Sequence, residues 1–301
     1  MHHFFVIITR IFSFFLVIGS VACKNHNERQ HIGYDLLKPD EIIDLPDSLR
    51  EISGITIIDT TTIACIQDEN GIVFMYDILK KKIKNKLYFY KHGDYEGICK
   101  VDTSIFILRS DGALFEILNY ESKTLSVIRY PTEMKAANNE GLCYDKISNR
   151  LLMARKNKIA KGKENKNKRG IYAFDLATKE FSEDPVINFN VDSVKKIVLK
   201  NNIKLPLGRK GIKAPSVVLH FASSEISIHP LTGKIFILSS TDHLLFIINR
   251  DGVIECVEHL NPLIFVQPEG LAFLNNGDML ISNEGHKQYP TLLRFNYKPG
   301  L

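Results

Sequence analysis

The chain of 301 residues has no tryptophan and only 10% aromatic residues, so a folded core has to be filled mainly by isoleucine, leucine and valine. Its five cysteines show no C-x-x-C spacing, which gives no sign of a metal motif. No G-x-S-x-G, H-E-x-x-H, phosphate-binding loop, dinucleotide-binding glycine pattern or EF-hand loop occurs. The sequence therefore carries no standard catalytic signature.

A three-residue motif recurs along the chain. It consists of a polar residue, then in most repeats a glycine, then an aliphatic residue. Its polar first residues are separated by 43, 44, 84 and 45 positions, and they are Ser53, Glu96, Glu140, Ser224 and Glu269. A repeat of about 40 to 50 residues made of short strands is typical of a β-propeller, in which each repeat forms one blade. The sequence predicts an all-β protein, a single propeller of five four-stranded blades. The glycine is expected to let the chain turn tightly into the strand, although Glu225 replaces it in blade four.

The last repeat has only three apolar runs, and residues 40–45 lie where every other repeat has its outermost strand. This N-terminal strand is expected to complete the last blade and close the ring, which removes exposed sheet edges. The long interval is explained by an insertion at about residues 190–222, with a short helix at 192–199. A sixth, degenerate blade within residues 183–223 is the alternative.

The N-terminal residues have the features of an export signal. Arg10 precedes an apolar run at residues 11–18, which is shorter than the roughly 20 residues of a membrane-spanning helix. Small residues directly before Cys23 resemble the lipobox of bacterial lipoproteins, in which the cysteine is lipidated. We expect a signal peptide at 1–22, a lipid-anchored tether at 23–31 and the propeller domain at 32–301. An ordinary signal peptide with a chance cysteine is the alternative. The expected location is the bacterial cell envelope, on a membrane and facing the periplasm.

The net charge of +5 is concentrated in residues 156–169, which hold seven lysines or arginines and one glutamate. A solvated loop is the simplest interpretation, and an anionic ligand or a lipid head group is the alternative. An export signal disfavours nucleic acid as a partner. A monomer is expected.

The innermost strands of a propeller line its central channel, so the repeated polar position is expected to form a ring at one mouth. Carboxylates of Glu96, Glu140 and Glu269 repel one another there unless a cation, basic side chains or raised pKa values offset the repulsion. Calcium is therefore a candidate occupant. Loops on the same face are expected to add Arg109, Lys156, Asn283 and Glu284. Three roles stay open for the ring: hydrogen bonds that join adjacent blades, cation binding and catalysis.

The ordered set of motifs resembles the SdiA-regulated family of exported bacterial β-propeller proteins. The resemblance covers residues 40–297 and rests on the ring order Ser, Glu, Glu, Ser, Glu and on strings such as EISGI, DYEGI, NNEGL and QPEGLAF. It implies an envelope propeller but no defined activity.

Two functions follow from this interpretation. The first is a binding or scaffolding module that takes a small-molecule or peptide ligand, with or without a divalent cation, at the glutamate-lined mouth. The second is a metal-dependent hydrolase similar to the lactonase-like and phytase-like propellers. In a hydrolase of that kind the ligands would have to be Glu96, Glu140, Glu269 and Asn283.

Overall fold

The computed structural model describes residues 32–131, 138–160, 162–208, 217–286 and 288–300. The expected signal peptide, the lipidation site at Cys23 and the tether up to residue 31 lie outside the described residues, so these three stay predictions. No helix in the described part is long and apolar enough to cross a membrane.

Apart from one helix, the described chain folds into short antiparallel strands. The first strand is β1 (Glu41–Asp44), and a 3-10 turn follows at Asp47–Leu49. Blade 1 comprises β2 (Ile52–Ile57), β3 (Thr62–Gln67), β4 (Ile72–Asp77) and β5 (Lys82–Tyr88). Blade 2 comprises β6 (Tyr95–Val101), β7 (Ser104–Arg109), β8 (Leu114–Leu118) and β9 (Ser126–Tyr130). Blade 3 comprises β10 (Asn139–Asp145), β11 (Arg150–Arg155), β12 (Lys168–Asp175) and β13 (Ile187–Asn190).

Blade 4 comprises β14 (Glu225–Ile228), β15 (Ile235–Ser239), β16 (Leu244–Ile248) and β17 (Ile254–His259). Blade 5 contains β18 (Pro268–Phe273), β19 (Met279–Asn283) and β20 (Thr291–Phe295), with β1 as its fourth strand. The innermost strands β2, β6, β10, β14 and β18 contact one another in turn, and β18 returns to β2. The predicted five-bladed propeller is confirmed, and the described part of residues 183–223 contains no sixth sheet.

The ring closes through the N-terminal strand, as the sequence predicts. Strand β1 runs antiparallel to β20, with Glu41 opposite Arg294 and Asp44 opposite Thr291. Two further backbone bonds extend the pairing beyond β1, from Asp40 N to Arg294 O and from Leu45 N to Pro290 O. Blade 5 is therefore assembled from both ends of the described chain.

The strand sequences follow from where each strand lies in its blade. Middle strands such as β15 (IFILS) and β16 (LLFII) are buried at every position, because both sheet faces pack against neighbouring blades. The outer strand β5 (KIKNKLY) is exposed at most positions. Aliphatic side chains dominate these interfaces, as the lack of tryptophan requires.

Helix α1 (Val191–Lys200) covers the predicted helical segment and extends it by one residue at each end. The side chain of Asn190 caps it by accepting a hydrogen bond from Ser193 N. Val191, Val194 and Val198 share one face of the helix and are buried in the core cluster between blades 3 and 4. The helix thus widens this interface and accounts for part of the long repeat interval.

Candidate functional site

A β-bulge brings the repeated polar residue to the channel mouth. In four blades the strand pairing shifts by one residue at this point, and the extra residues are Ser53, Glu96, Glu140 and Glu269. A bulge adds one residue to a strand and changes the direction of its side chain. These bulges explain why the polar residue lies apart from the apolar faces of each blade.

The glycine after the polar residue serves close packing, and the expected tight turn is wrong. A Cβ atom on Gly141 would lie 2.7 Å from Ile226 N, and one on Gly97 would lie 2.7 Å from Leu142 Cβ. Neither glycine has the positive φ of a tight turn. The inner strand of the next blade therefore approaches so closely that no side chain fits.

The two serines of the ring join adjacent blades. Ser53 Oγ of blade 1 donates a 2.6 Å hydrogen bond to Tyr95 O of blade 2. Ser224 Oγ of blade 4 lies 3.4 Å from Pro268 O of blade 5. Both serines are buried. For these two positions the structural interpretation of the ring is therefore supported by direct contacts.

Glu225 also connects two adjacent blades. In the sequence it stands out only because it replaces the glycine of the repeated motif. Its side chain is buried, and Oε1 accepts hydrogen bonds from Leu142 N of blade 3 at 2.8 Å and from Ile226 N at 2.9 Å. Oε2 has no partner among the described residues. Burial raises the pKa of this carboxyl well above its usual value, against the two backbone hydrogen bonds, which favour the ionised form.

The three ring glutamates form an electrostatically coupled cluster. Burial, together with the charges of Glu140 and Asp94, raises the pKa of Glu96 to about 9. Burial raises the pKa of Glu140 to about 7, with Lys156 opposing the shift and Glu269 adding to it. Burial also raises the pKa of Glu269, again against the charge of Lys156. At neutral pH the cluster therefore retains protons that exposed glutamates would have lost.

Lys156 is the basic group of this mouth. Its Nζ lies 2.8 Å from Glu140 Oε1. Burial acts to lower the lysine pKa, but the charges of Glu140, Glu269 and Glu96 outweigh it and raise the pKa. The first residue of the basic segment 156–169 thus faces the glutamates, whereas the other described residues of the segment are exposed or half-buried. The chain itself supplies a positive charge among the three carboxyls.

The residues present do not form a ready metal site. Within the part of the chain that the structure describes, no three acidic, histidine or cysteine side chains are grouped in a way that would hold a metal ion. Protonated carboxyls and a bound ammonium group are also poor partners for Ca²⁺, which prefers ionised oxygens. The predicted calcium ligands Glu96, Glu140 and Glu269 are close enough to interact, and their role as ligands stays a prediction.

More acidic groups extend the mouth towards blades 5 and 1. Burial and the charges of Glu269 and Glu51 raise the pKa of Glu284 to about 8. Burial, with the charges of Glu51 and two neighbouring acids, raises the pKa of Asp68 to about 6. Asp94, which acts on Glu96 and Glu140, was not anticipated, although it stands only two residues before the motif. The mouth is strongly acidic.

Two predicted members of the mouth have other contacts. Arg109 makes two hydrogen bonds to Asp111, at 2.9 and 2.7 Å, and stacks on the ring of Phe115. Asn283 Nδ2 donates to Ile264 O at 3.0 Å and to Thr291 Oγ1 at 3.1 Å. Neither side chain hydrogen-bonds to a ring carboxylate within the described residues. The repeat pattern located their backbones but not the directions of their side chains.

The other half of the channel is a cavity of about 400 Å³. Small residues occupy the same register position on all five inner strands around it, and they are Thr56, Cys99, Cys143, Ser227 and Ala272. Both cysteines are buried free thiols. The lining of this half includes Lys100, Asp102 and Lys146 but none of the buried glutamates, so the glutamate cluster belongs to the other end of the channel.

No protein-family model and no curated protein matches this sequence. The structure is similar to that of glutaminyl cyclase from Myxococcus xanthus, with a TM-score of 0.57, 10% identity, and coverage of 87% of this chain and 96% of the cyclase. It is also similar to virginiamycin B lyase from Staphylococcus aureus, with a TM-score of 0.43, 12% identity, and coverage of 81% and 67%. A third similar structure is a luciferin-regenerating enzyme, with a TM-score of 0.46, 11% identity, and coverage of 86% and 95%.

At these identities the similarity concerns the fold alone, and the cyclase is the one whose TM-score exceeds 0.5 among these three. Membership of the SdiA-regulated family stays a prediction from the sequence motifs. What the comparisons and the sheet topology establish together is a five-bladed β-propeller.

Proposed function

We propose that this chain is a binding propeller of the bacterial envelope whose acidic mouth holds a positively charged group of a small-molecule or peptide ligand. The observation that carries the proposal is the position of Lys156, whose ammonium group pairs with Glu140 and interacts with Glu96 and Glu269. Three ring carboxyls and Glu284 face this one ammonium group, so acceptor oxygens remain for a second monovalent cation. Organic cations are therefore favoured over Ca²⁺ as the ligand.

The raised carboxyl pKa values make the proposal testable through pH. A bound cation stabilises ionised carboxylates, so binding releases protons from groups such as Glu140 and Glu284. Affinity then rises with pH, by up to about tenfold per pH unit for each proton released.

The test is a titration with ethylammonium, which keeps its charge from pH 6 to 9, followed by NMR or calorimetry. We expect binding that tightens as the pH rises and weakens in the Glu140→Gln variant. N-Ethylacetamide, which has no charge, is the matched control ligand. Equal binding of the two compounds, or no dependence on pH, would contradict the proposal.

Hydrolysis is the second candidate, and the spread of pKa values favours it. Glu96 and Glu140, with pKa values of about 9 and about 7, resemble an acid and base pair whose environments separate their protonation. A screen of lactones and phosphate esters, with and without Ca²⁺, tests this function. An activity that Glu140→Gln abolishes would support it, whereas an activity unchanged in this variant would assign the turnover to a contaminant.

The envelope location rests on the export signal, the lipobox-like residues before Cys23 and the resemblance to the SdiA-regulated family. Lipidation at Cys23 predicts that Cys23→Ala releases the mature protein from the membrane fraction into the soluble envelope fraction. Immunoblotting of the two fractions measures this. Unchanged membrane partition in the variant would show that another feature anchors the protein.

A further inference from the structure

Beside the acidic mouth, blade 5 carries an apolar groove with a volume of about 170 Å³. Four large side chains border it and are unusually exposed: Ile42 at 56%, Leu263 at 88%, Val266 at 43% and Tyr289 at 67%. Single exposed apolar residues are common on protein surfaces, but several that border one groove indicate a binding surface. The small volume suits one side chain of a ligand better than a whole drug-sized molecule, which needs about 300 Å³ or more.

Asn283 lines this groove and leaves one polar atom unsatisfied. The residue is 2% exposed, and its Nδ2 donates hydrogen bonds to Ile264 O and Thr291 Oγ1. Its Oδ1 is buried and has no hydrogen-bond partner among the described residues. A buried acceptor without a partner is costly, so an N–H group of a ligand would be a favourable neighbour.

Glu284 links the groove to the acidic mouth. It follows Asn283 in the chain, lines the same groove and interacts with the charges of Glu269 and Lys156. Gln267 Nε2 donates a hydrogen bond to Glu284 Oε2, which holds the carboxyl in place. The apolar groove therefore begins where the ring of negative charge ends.

We propose that the groove and the mouth together bind the N-terminus of a peptide whose first residue has a large apolar side chain. The ammonium group pairs with Glu284, which releases its proton on binding. The side chain packs among Leu263, Val266 and Tyr289, and an amide N–H of the peptide donates to Asn283 Oδ1. This inference rests on the proposed function, because it uses the same acidic mouth for the charged group. Charge selects this occupant over an anionic lipid surface, which the carboxylates of the mouth would repel.

The experiment compares three amidated tripeptides, titrated at pH 7: Leu-Gly-Gly, Gly-Gly-Gly and N-acetyl-Leu-Gly-Gly. We expect the leucine peptide to bind at least tenfold more tightly than the glycine peptide, because burial of its side chain adds to the ionic contact. Acetylation removes the charge and should weaken binding at least tenfold as well.

Protein variants locate the leucine site. Leu263→Ser should abolish the preference for leucine and leave the affinity for Gly-Gly-Gly unchanged, and its high exposure means that folding is not at risk. Leu79→Ser is the matched control, because it makes the same substitution at another largely exposed leucine, which lies in the turn after β4 in blade 1. This control should bind all three peptides as the unaltered protein does.

The outcomes separate this inference from the proposed function. Equal affinity for the leucine and glycine peptides would show that the groove does not bind the leucine side chain, and it would leave the proposed cation site at the mouth intact. Equal affinity for the free and acetylated leucine peptides would show that the mouth does not bind the ammonium group. Absence of any binding would overturn both the cation site and the side-chain site. A dimer that Leu263→Ser dissociates would assign the groove to a second copy of the chain, and binding to phosphatidylglycerol vesicles that this variant loses would assign it to a membrane. Either result would overturn the proposal that the groove binds a peptide N-terminus.

Discussion

Serine and glutamate occupy the same repeat position in different blades, and their surroundings differ in kind. Ser53 and Ser224 are neutral, buried and within reach of carbonyl oxygens of the next blade. Glu96, Glu140 and Glu269 are held close to one another at a cost, since burial raises the pKa of each. A group held in an unfavourable ionisation state often marks a functional site. The repeat thus uses one position for structure in two blades and for charge in three.

Removing the joint at Glu225 should have the largest effect on stability. Glu225→Ala leaves the buried N–H groups of Leu142 and Ile226 without their acceptor, at a total cost of about 3 kcal/mol. Glu225→Gln keeps an oxygen that can accept both bonds and should therefore lose less stability than the alanine variant. Urea unfolding at pH 7 measures both. If the alanine variant loses less than the glutamine variant, Glu225 does not join the blades as its contacts indicate.

Neutralising Glu96 should stabilise the protein, but only at higher pH. The folded state raises the pKa of this carboxyl from 4.5 to about 9, so its contribution is fully favourable below pH 4.5 and is lost as the pH rises through 9. Glu96→Gln should therefore be close to the unaltered protein at pH 5 and more stable at pH 8. The full pKa shift corresponds to a gain of about 4 kcal/mol between these pH values, and solvent screening of this half-buried carboxyl reduces the expected gain to about 2 kcal/mol. Denaturant titrations at the two pH values measure the difference.

The control for that experiment is Glu121→Gln, which removes an exposed carboxyl after β8. It should change the unfolding free energy by no more than about 0.5 kcal/mol at either pH. If Glu96→Gln differs from the unaltered protein by the same amount at pH 5 and pH 8, the pKa of Glu96 is not raised as its burial and charged neighbours indicate.

The serine joints should give smaller effects without pH dependence. Ser53→Ala removes a 2.6 Å hydrogen bond to Tyr95 O and should cost about 1 kcal/mol. Ser224→Ala removes contacts of 3.3 to 3.4 Å, including one accepted from Ser240 N, which are weak, and should cost about half as much or less. Thermal unfolding should show the same loss of stability for each serine variant at pH 5 and at pH 8. A loss that grows with pH would show that the serines also interact with the charged cluster.

The sequence was sufficient for the fold because blades repeat and because apolar runs of strand length are local features. Closure by β1 was predictable for the same reason, since one strand was missing and one was unassigned. The pairing of Lys156 with Glu140, the joint made by Glu225 and the groove at Asn283 depend on distances between blades, which a single sequence does not encode locally. Arg109 shows the same limit: its position was predicted, but Asp111 and Phe115 determine where its side chain lies.

The smallest expected effect concerns calcium, and it distinguishes an organic cation site from a metal site among the glutamates. In the unaltered protein the ammonium group of Lys156 neutralises part of the cluster, so 5 mM Ca²⁺ should leave the melting temperature unchanged. Lys156→Gln removes this charge and frees Glu140, so weak calcium binding becomes favourable. At a calcium concentration equal to the dissociation constant, mass action gives about 0.4 kcal/mol of stabilisation. For a domain of this size that is about 1 °C in melting temperature. A larger rise in the unaltered protein, reversed by a chelator, would show that the three glutamates bind calcium despite Lys156 and would make the metal-dependent hydrolase the leading candidate.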